Sequence, residues 1–367
     1  VNTGLKQRIF QKIDASPERG LSFAAFMELA LYEPGLGYYG SADRCIGRAG
    51  GDFYTSVSVG KCFGLLLGYA IESEWEKAGK PGEWLVVEQG AHDGQLALDI
   101  LEGLRQRDCP ILGSLSYAVI EPHPGRRDLL TGRLGETEQV GVVPTADKTG
   151  AACGIFLCNE LIDAFPVHRV RWDGGQWEEL WVIRAESESG FSLVGREIGN
   201  PALLAEVSRL DSRCLPVGYL TEINLAMREW LPSVCGLFEK GRGKWWVMDY
   251  GHREEDYYSP ARREGTLRCY RDHRVSTDVF QGLGETDITA DVNFSRLADF
   301  AKQAGLASAP LQDQHGFLTR AAKPWLLAME AAGTTQGANE RKLLRQFQTL
   351  THPGMMGRAF KVQVLAN

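Results

Sequence analysis

Trp84-Leu85-Val86-Val87-Glu88-Gln89-Gly90-Ala91-His92-Asp93-Gly94-Gln95 is the stretch that decides the fold. Its first four residues are large and apolar, the composition of a strand covered on both faces. An acidic residue follows, and Gly90 to Gly94 makes a tight turn. Ala97, Ile100, Leu101 and Leu104 then recur at i, i+3, i+4 and i+7, the stripe of an amphipathic helix. Strand, glycine turn and helix are the first half of a parallel β-α-β unit.

The same rhythm extends outward in both directions. Upstream, Phe63, Leu66, Leu67 and Ala70 stripe a helix from about Val59 to Lys77, stopped by Gly79 and Pro81. Downstream, Tyr117-Ala118-Val119-Ile120-Glu121 and Gly154-Ile155-Phe156-Leu157-Cys158-Asn159 read as further buried strands. After Phe165 the pattern shortens to polar-apolar alternation over 167–171, 176–185 and 191–196. Asp173-Gly174-Gly175 and Glu188-Ser189-Gly190 join these runs, which predicts an antiparallel meander. Trp245-Trp246-Val247-Met248-Asp249 resumes the strand pattern. Phe294, Leu297, Ala298 and Ala301 form a helix, Arg341–Leu350 is amphipathic, and Phe360–Leu365 is a last strand. The expected fold is α/β, a doubly wound, mainly parallel, Rossmann-like sheet. Residues 60–166 and 236–367 would form it, 167–235 would be an inserted meander and helix serving as substrate lobe, and 1–59 would be a helical leader covering the cofactor site.

Composition narrows the function. The 367 residues carry a net charge of −7, with 44% hydrophobic and 24% charged residues. That balance suits a soluble globular chain and disfavours nucleic-acid binding, which needs clustered Lys and Arg. No apolar stretch approaches the roughly 20 residues of a membrane span. The eight cysteines include no C-x-x-C pair, and the seven histidines form no metal-spaced cluster, so no metal is expected. Free thiols inside apolar runs, such as Cys62 and Cys158, suit a reducing, cytoplasmic location.

The turn at Gly90 is where a nucleotide-like ligand would lie, over the carboxyl end of its strand. Glycine lets backbone approach the ligand there, and the next helix offers free N–H groups. Glu121 ends the following strand, where a carboxylate can accept from both hydroxyls of a ribose. NAD would use the same acid. S-adenosylmethionine is favoured because the turn lacks a full G-x-G-x-x-G and carries Glu88, which suits a cofactor with a cationic amino-acid end and no pyrophosphate. An ordinary glycine turn is the alternative for this segment alone. His92 stands where a third glycine would be useful. In Asn159-Glu160-Leu161-Ile162-Asp163-Ala164-Phe165-Pro166, Glu160 and Asp163 are three apart and would share a face of a helical turn. They could hold a guanidinium by bidentate hydrogen bonds, or one of them could cap a helix.

These motifs, in order, resemble the MidA family of S-adenosylmethionine-dependent methyltransferases, bacterial proteins with mitochondrial relatives that methylate a protein arginine and assist complex I assembly. Phe26-Met27, Ala30-Leu31-Tyr32, Pro34 and Gly37-Tyr38-Tyr39 resemble its opening, and Gly51-Asp52-Phe53 with Thr55-Ser56 its next block. The Glu88–Gly94 turn, Asn159-Glu160 with Asp163-Ala164 and Pro166, and Asp249-Tyr250-Gly251 follow. Thr286–Val292 with Phe294, and Met356-Gly357 with Phe360-Lys361-Val362, complete the match. The resemblance implies a class I methyltransferase whose cofactor is held by Tyr39, Gly51, Asp52, Thr55, Ser56, Glu88, Gly90, His92, Gly94, Glu121 and Asn159. Asn159, Glu160, Asp163 and Glu222, the last placed at the start of a helix after the meander, would face the acceptor as catalytic residues. The acceptor would be an arginine-bearing protein. A small-molecule nucleophile, or a scaffold that binds the cofactor without chemistry, are the alternatives, and a homo-oligomer stays open. Where the family continues Thr-Ser-Pro-Glu, this chain has Thr55-Ser56-Val57-Ser58, so the missing acid points to a changed acceptor.

Overall fold

The computed structural model describes residues 3–41, 55–186, 190–271, 274–331 and 337–367. The chain divides into two compact units. One comprises 54–161, 231–251 and 298–367, and the other 1–53, 162–230 and 252–297.

The first unit is built on a mainly parallel sheet. Its strands are β1 (Trp84–Gln89), β2 (Leu115–Ile120), β3 (Val140–Val143), β4 (Gly154–Asn159), β5 (Gly243–His252) and β6 (Phe360–Ala366), in the spatial order β6-β5-β4-β1-β2-β3. The first five are parallel, and β6 is antiparallel to β5. Apolar runs with no alternation form β1 and β4 because helices cover both faces. α1 (Cys62–Lys77), α2 (Gln95–Arg105) and α3 (Pro124–Leu134) are joined by α4 (Gln314–Ala331) and α5 (Ala338–Thr351). Phe63, Leu66, Ile100, Leu101, Val86, Leu157 and Trp246 share this unit's core. Gly64 lets α1 meet α2, since a Cβ there would lie 2.5 Å from the Cβ of Asp99.

In the second unit the meander forms as expected, at His168–Trp172, Trp177–Arg184 and Phe191–Glu197. The strand Tyr219–Ile223 extends it by pairing with His168–Trp172. Glu222 therefore lies within a strand and not at a helix start. Aromatic and β-branched neighbours (Tyr219, Thr221, Ile223) favour extended backbone, and the helix begins only at Ala226.

The domain limits differ from the expectation in a second respect. The leader and residues 252–297 belong with the meander, while 54–59 join the sheet unit. Hydrophobic burial explains it. Helices Thr3–Ala15 and Phe23–Tyr32 place Leu5, Ile9, Phe26 and Met27 in one core with Val182, Leu267 and Ile288. The leader's apolar faces are thus core of this unit.

Candidate functional site

Strand order fixes where a ligand can enter the sheet unit. From β1 the chain moves to β2 and β3 on one side, then returns with β4 on the other. Glu88 pairs with Leu157 and Gln89 with Cys158, so the carboxyl ends of β1 and β4 lie side by side at the switch point. That crevice is the ligand position of an open α/β sheet.

The turn after β1 has three left-handed residues: Gly90 (φ 81°), His92 (φ 50°) and Gly94 (φ 77°). His92 stands where a third glycine was wanted and takes the left-handed conformation itself, which His tolerates better than most residues. A Cβ on Gly90 would lie 3.2 Å from Leu161, in the segment after β4. Asp93, which the sequence reading passed over, organises the turn. Its Oδ1 accepts from Gln95 N at 3.0 Å, and its Oδ2 lies 2.5 Å from Arg133 Nη1. Burial alone would raise this carboxyl's pKa, but the Arg133 bond and the His92 ring bring it below its usual value.

Glu88 does not project as an open carboxylate. It is 3% exposed, and the Tyr117 hydroxyl on β2 donates to its Oε2 at 2.6 Å. Burial pushes it up to about 7, with Asp93 adding to the shift and the Tyr117 bond opposing it. Glu121 follows β2, as expected. Its Oε1 accepts from His123 N at 2.8 Å, and its Oε2 lies 3.7 Å from Arg126 Nε.

The segment after β4 supplies the other wall. Glu160 has a left-handed backbone (φ 52°), a costly conformation for a residue with a Cβ, and its N–H donates to Met248 O on β5 at 2.9 Å. Its Oε1 accepts twice, from Ser56 N at 3.0 Å and from Asn159 Nδ2 at 2.9 Å. Asn159 Oδ1 is buried and has no hydrogen-bond partner among the described residues. Ser56 is fully buried.

Thr55 and Ser58 form a reciprocal pair. Ser58 N donates to Thr55 Oγ1 at 2.9 Å, and Thr55 N to Ser58 Oγ at 2.8 Å. The pair closes the turn that precedes α1. Ser58, which stands where the family pattern has its acid, is engaged by Thr55 in this chain. Gly51 and Asp52 lie outside the described residues.

The remaining candidates belong to the leader-and-meander unit. Asp163 sits in a short 3-10 turn (Ile162–Ala164), is 3% exposed, and its carbonyl accepts from Ala290 N at 2.9 Å. Tyr39 donates to Asp287 Oδ2 at 3.0 Å. Desolvation, then Asp287 and Asp163, drive its hydroxyl pKa well above the ordinary value. Glu222 is buried, takes the N–H and hydroxyl of Thr266 at 2.7 and 3.1 Å, and lies 3.6 Å from Arg169 Nε. Burial raises its pKa against the Arg169 charge. The chain's own guanidinium thus faces it. His252 and Arg268 both engage Asp291, the former at 2.9 Å. Asp287 and Asp291 lie buried in the Thr286–Val292 block, where local spacing gives a strand-turn segment no signal of burial.

The donor set fits S-adenosylmethionine. Asn159 offers a buried acceptor suited to an ammonium, and Glu121 a carboxylate suited to a ribose diol. The Asp93 carboxyl, held below its usual pKa, disfavours a pyrophosphate at the turn.

Comparison with known proteins agrees. Residues 66–311 match the family model described as "Putative S-adenosyl-L-methionine-dependent methyltransferase". The zebrafish (Danio rerio) protein arginine methyltransferase NDUFAF7, mitochondrial, is 28% identical over 98% of this chain and 86% of its own length. The Homo sapiens counterpart is 27% identical over 93% and 78%. A Burkholderia thailandensis crystal structure bound to S-adenosyl-homocysteine superposes with a TM-score of 0.81 at 26% identity, covering 100% of this chain and 92% of that one.

Proposed function

Since the chain belongs to the MidA family of S-adenosylmethionine-dependent methyltransferases, we propose that it methylates an arginine side chain of a protein substrate. The observation that carries this reading is similarity over nearly the whole chain to relatives named as protein arginine methyltransferases. When bound, the cofactor supplies an electrophilic methyl group on a sulfonium and leaves as S-adenosylhomocysteine.

In this proposal the acceptor guanidinium is held by Asp163 and Asp287, two buried carboxylates beside Tyr39. A carboxylate pair localises nucleophilic electron density on one guanidinium nitrogen and takes up its proton. Glu160 serves the reaction by placing Asn159 and Ser56, both of which donate to its Oε1. Glu222 faces Arg169 and Thr266, which supports a structural role. We also propose a reducing compartment, supported by buried free thiols at Cys62, Cys109, Cys153, Cys158 and Cys269. Among the described residues no helix is long and apolar enough to cross a membrane.

The test is incubation with methyl-labelled cofactor and lysate, followed by acid hydrolysis of the labelled protein. Label recovered as methylarginine supports the reading. Label in small molecules only, or in another amino acid, overturns it. No label at all in a protein that binds the cofactor supports a scaffold.

A further inference from the structure

We propose that Gln314, the first residue of α4, is a positioning residue of the cofactor site. It is fully buried. Its Nε2 donates to Leu350 O at 3.1 Å, which fixes the orientation of the amide. Its Oε1 therefore faces Ser56, whose hydroxyl donates to it at 3.2 Å. The same serine's N–H donates to Glu160 Oε1, which also accepts from Asn159 Nδ2. The Leu350 carbonyl sets the direction as far as the Ser56 hydroxyl; beyond it the Glu160 carboxylate takes the Ser56 N–H and the Asn159 amide N–H as an acceptor only, and Gln314 acts on it by fixing where Ser56 sits. An amide has one donor end and one acceptor end, so committing Asn159 Nδ2 to Glu160 leaves its Oδ1 as the end presented to a ligand.

Two observations raise this above a set of incidental contacts. Asn159 Oδ1 is buried with no hydrogen-bond partner among the described residues, which is costly unless a donor binds there. Glu160 holds a strained left-handed backbone, its N–H donating to Met248 O, and Ser56 bonds to the side chain this strained backbone carries. A side chain 258 residues from Ser56 in sequence thereby holds Ser56 against the Glu160 carboxylate that orients Asn159. This rests on the reading of Asn159 as a cofactor residue.

A double-mutant cycle tests it, with S-adenosylhomocysteine affinity measured by calorimetry. Gln314→Met keeps volume but removes both bonds. In the parent chain it should weaken binding about tenfold, the scale of a lost coupling between neighbours. In the Asn159→Ala background it should weaken binding less than about twofold, since no amide is left to orient. Ser56→Ala cuts the same chain from the other side and should repeat both results, which keeps the test decisive where Gln314→Met does not fold. Equal weakening in both backgrounds, or none in either, overturns the proposal. If Asn159→Ala alone leaves affinity unchanged, the reading of Asn159 fails first, and the proposal with it.

Discussion

Glu88 has a protonation state set by its folded surroundings. The sequence marks it as the acid at the end of a buried strand, and the cationic cofactor end made it look like a direct partner. Instead it is buried against Tyr117, a residue on the neighbouring strand. Burial lifts its pKa from 4.5 to about 7, so the folded chain holds a proton that the unfolded chain releases between those values. Stability from this group is complete below about pH 4.5 and is lost as pH rises through about 7. The loss is roughly 3 kcal/mol, at about 1.4 kcal/mol per tenfold change in proton affinity. Glu88→Gln should flatten the fall in stability between pH 5 and 7, measured by denaturant unfolding at a series of pH values. An unchanged slope would assign the titration to another group. Gly90 was legible outright, because a turn imposes its backbone requirement locally. Gly90→Val must adopt φ near 81° and press on Leu161, so a folded variant should lose at least about tenfold in S-adenosylhomocysteine affinity. Normal binding by that variant would exclude the turn as the cofactor site.

At the scale of elements, strands and helices with strong periodicity were legible, and their partners were not. The meander's alternation gave three of its strands, while Tyr219–Ile223 was missed because its short run precedes a helix and its character comes from pairing with His168–Trp172. The Thr55–Ser58 turn makes the same point. Its sequence suggests a lost acid, and the structure shows Ser58 exchanging hydrogen bonds with Thr55. Ser58→Ala should destabilise the protein by about 1 kcal/mol, the usual net worth of a hydrogen bond, and Ser58→Glu, which keeps an acceptor for Thr55 N, should recover most of it. Neither should alter which acceptor is methylated. Thermal unfolding and the label-incorporation assay measure the two effects separately, and a change of acceptor in Ser58→Glu would return this position to the substrate site. The links from Ser56 to Glu160 and Gln314 were invisible because they join residues 104 and 258 apart. No local pattern encodes such a distance.

For the whole molecule, the decisive fact is that each unit is assembled from three separated chain segments. The leader, expected to cover the cofactor site, also builds a core. Leu5, Ile9, Ile13, Phe23, Phe26, Met27, Leu31 and Tyr38 are all buried in one core with Val182, Leu267 and Ile288. At about 1.5–3 kcal/mol for each large apolar side chain, their burial contributes roughly 12–24 kcal/mol. A whole domain is commonly stable by only about 5–15 kcal/mol. Deleting residues 1–53 should therefore unfold the meander unit. Amide hydrogen exchange reads the outcome segment by segment. Protection over 168–184 and 268–289 should collapse in the truncated chain. The sheet unit keeps its own core of Phe63, Ile100, Leu157 and Trp246, so 84–89 and 154–159 should retain protection. A leader that merely covered a site would give the opposite pattern, with the meander's protection intact.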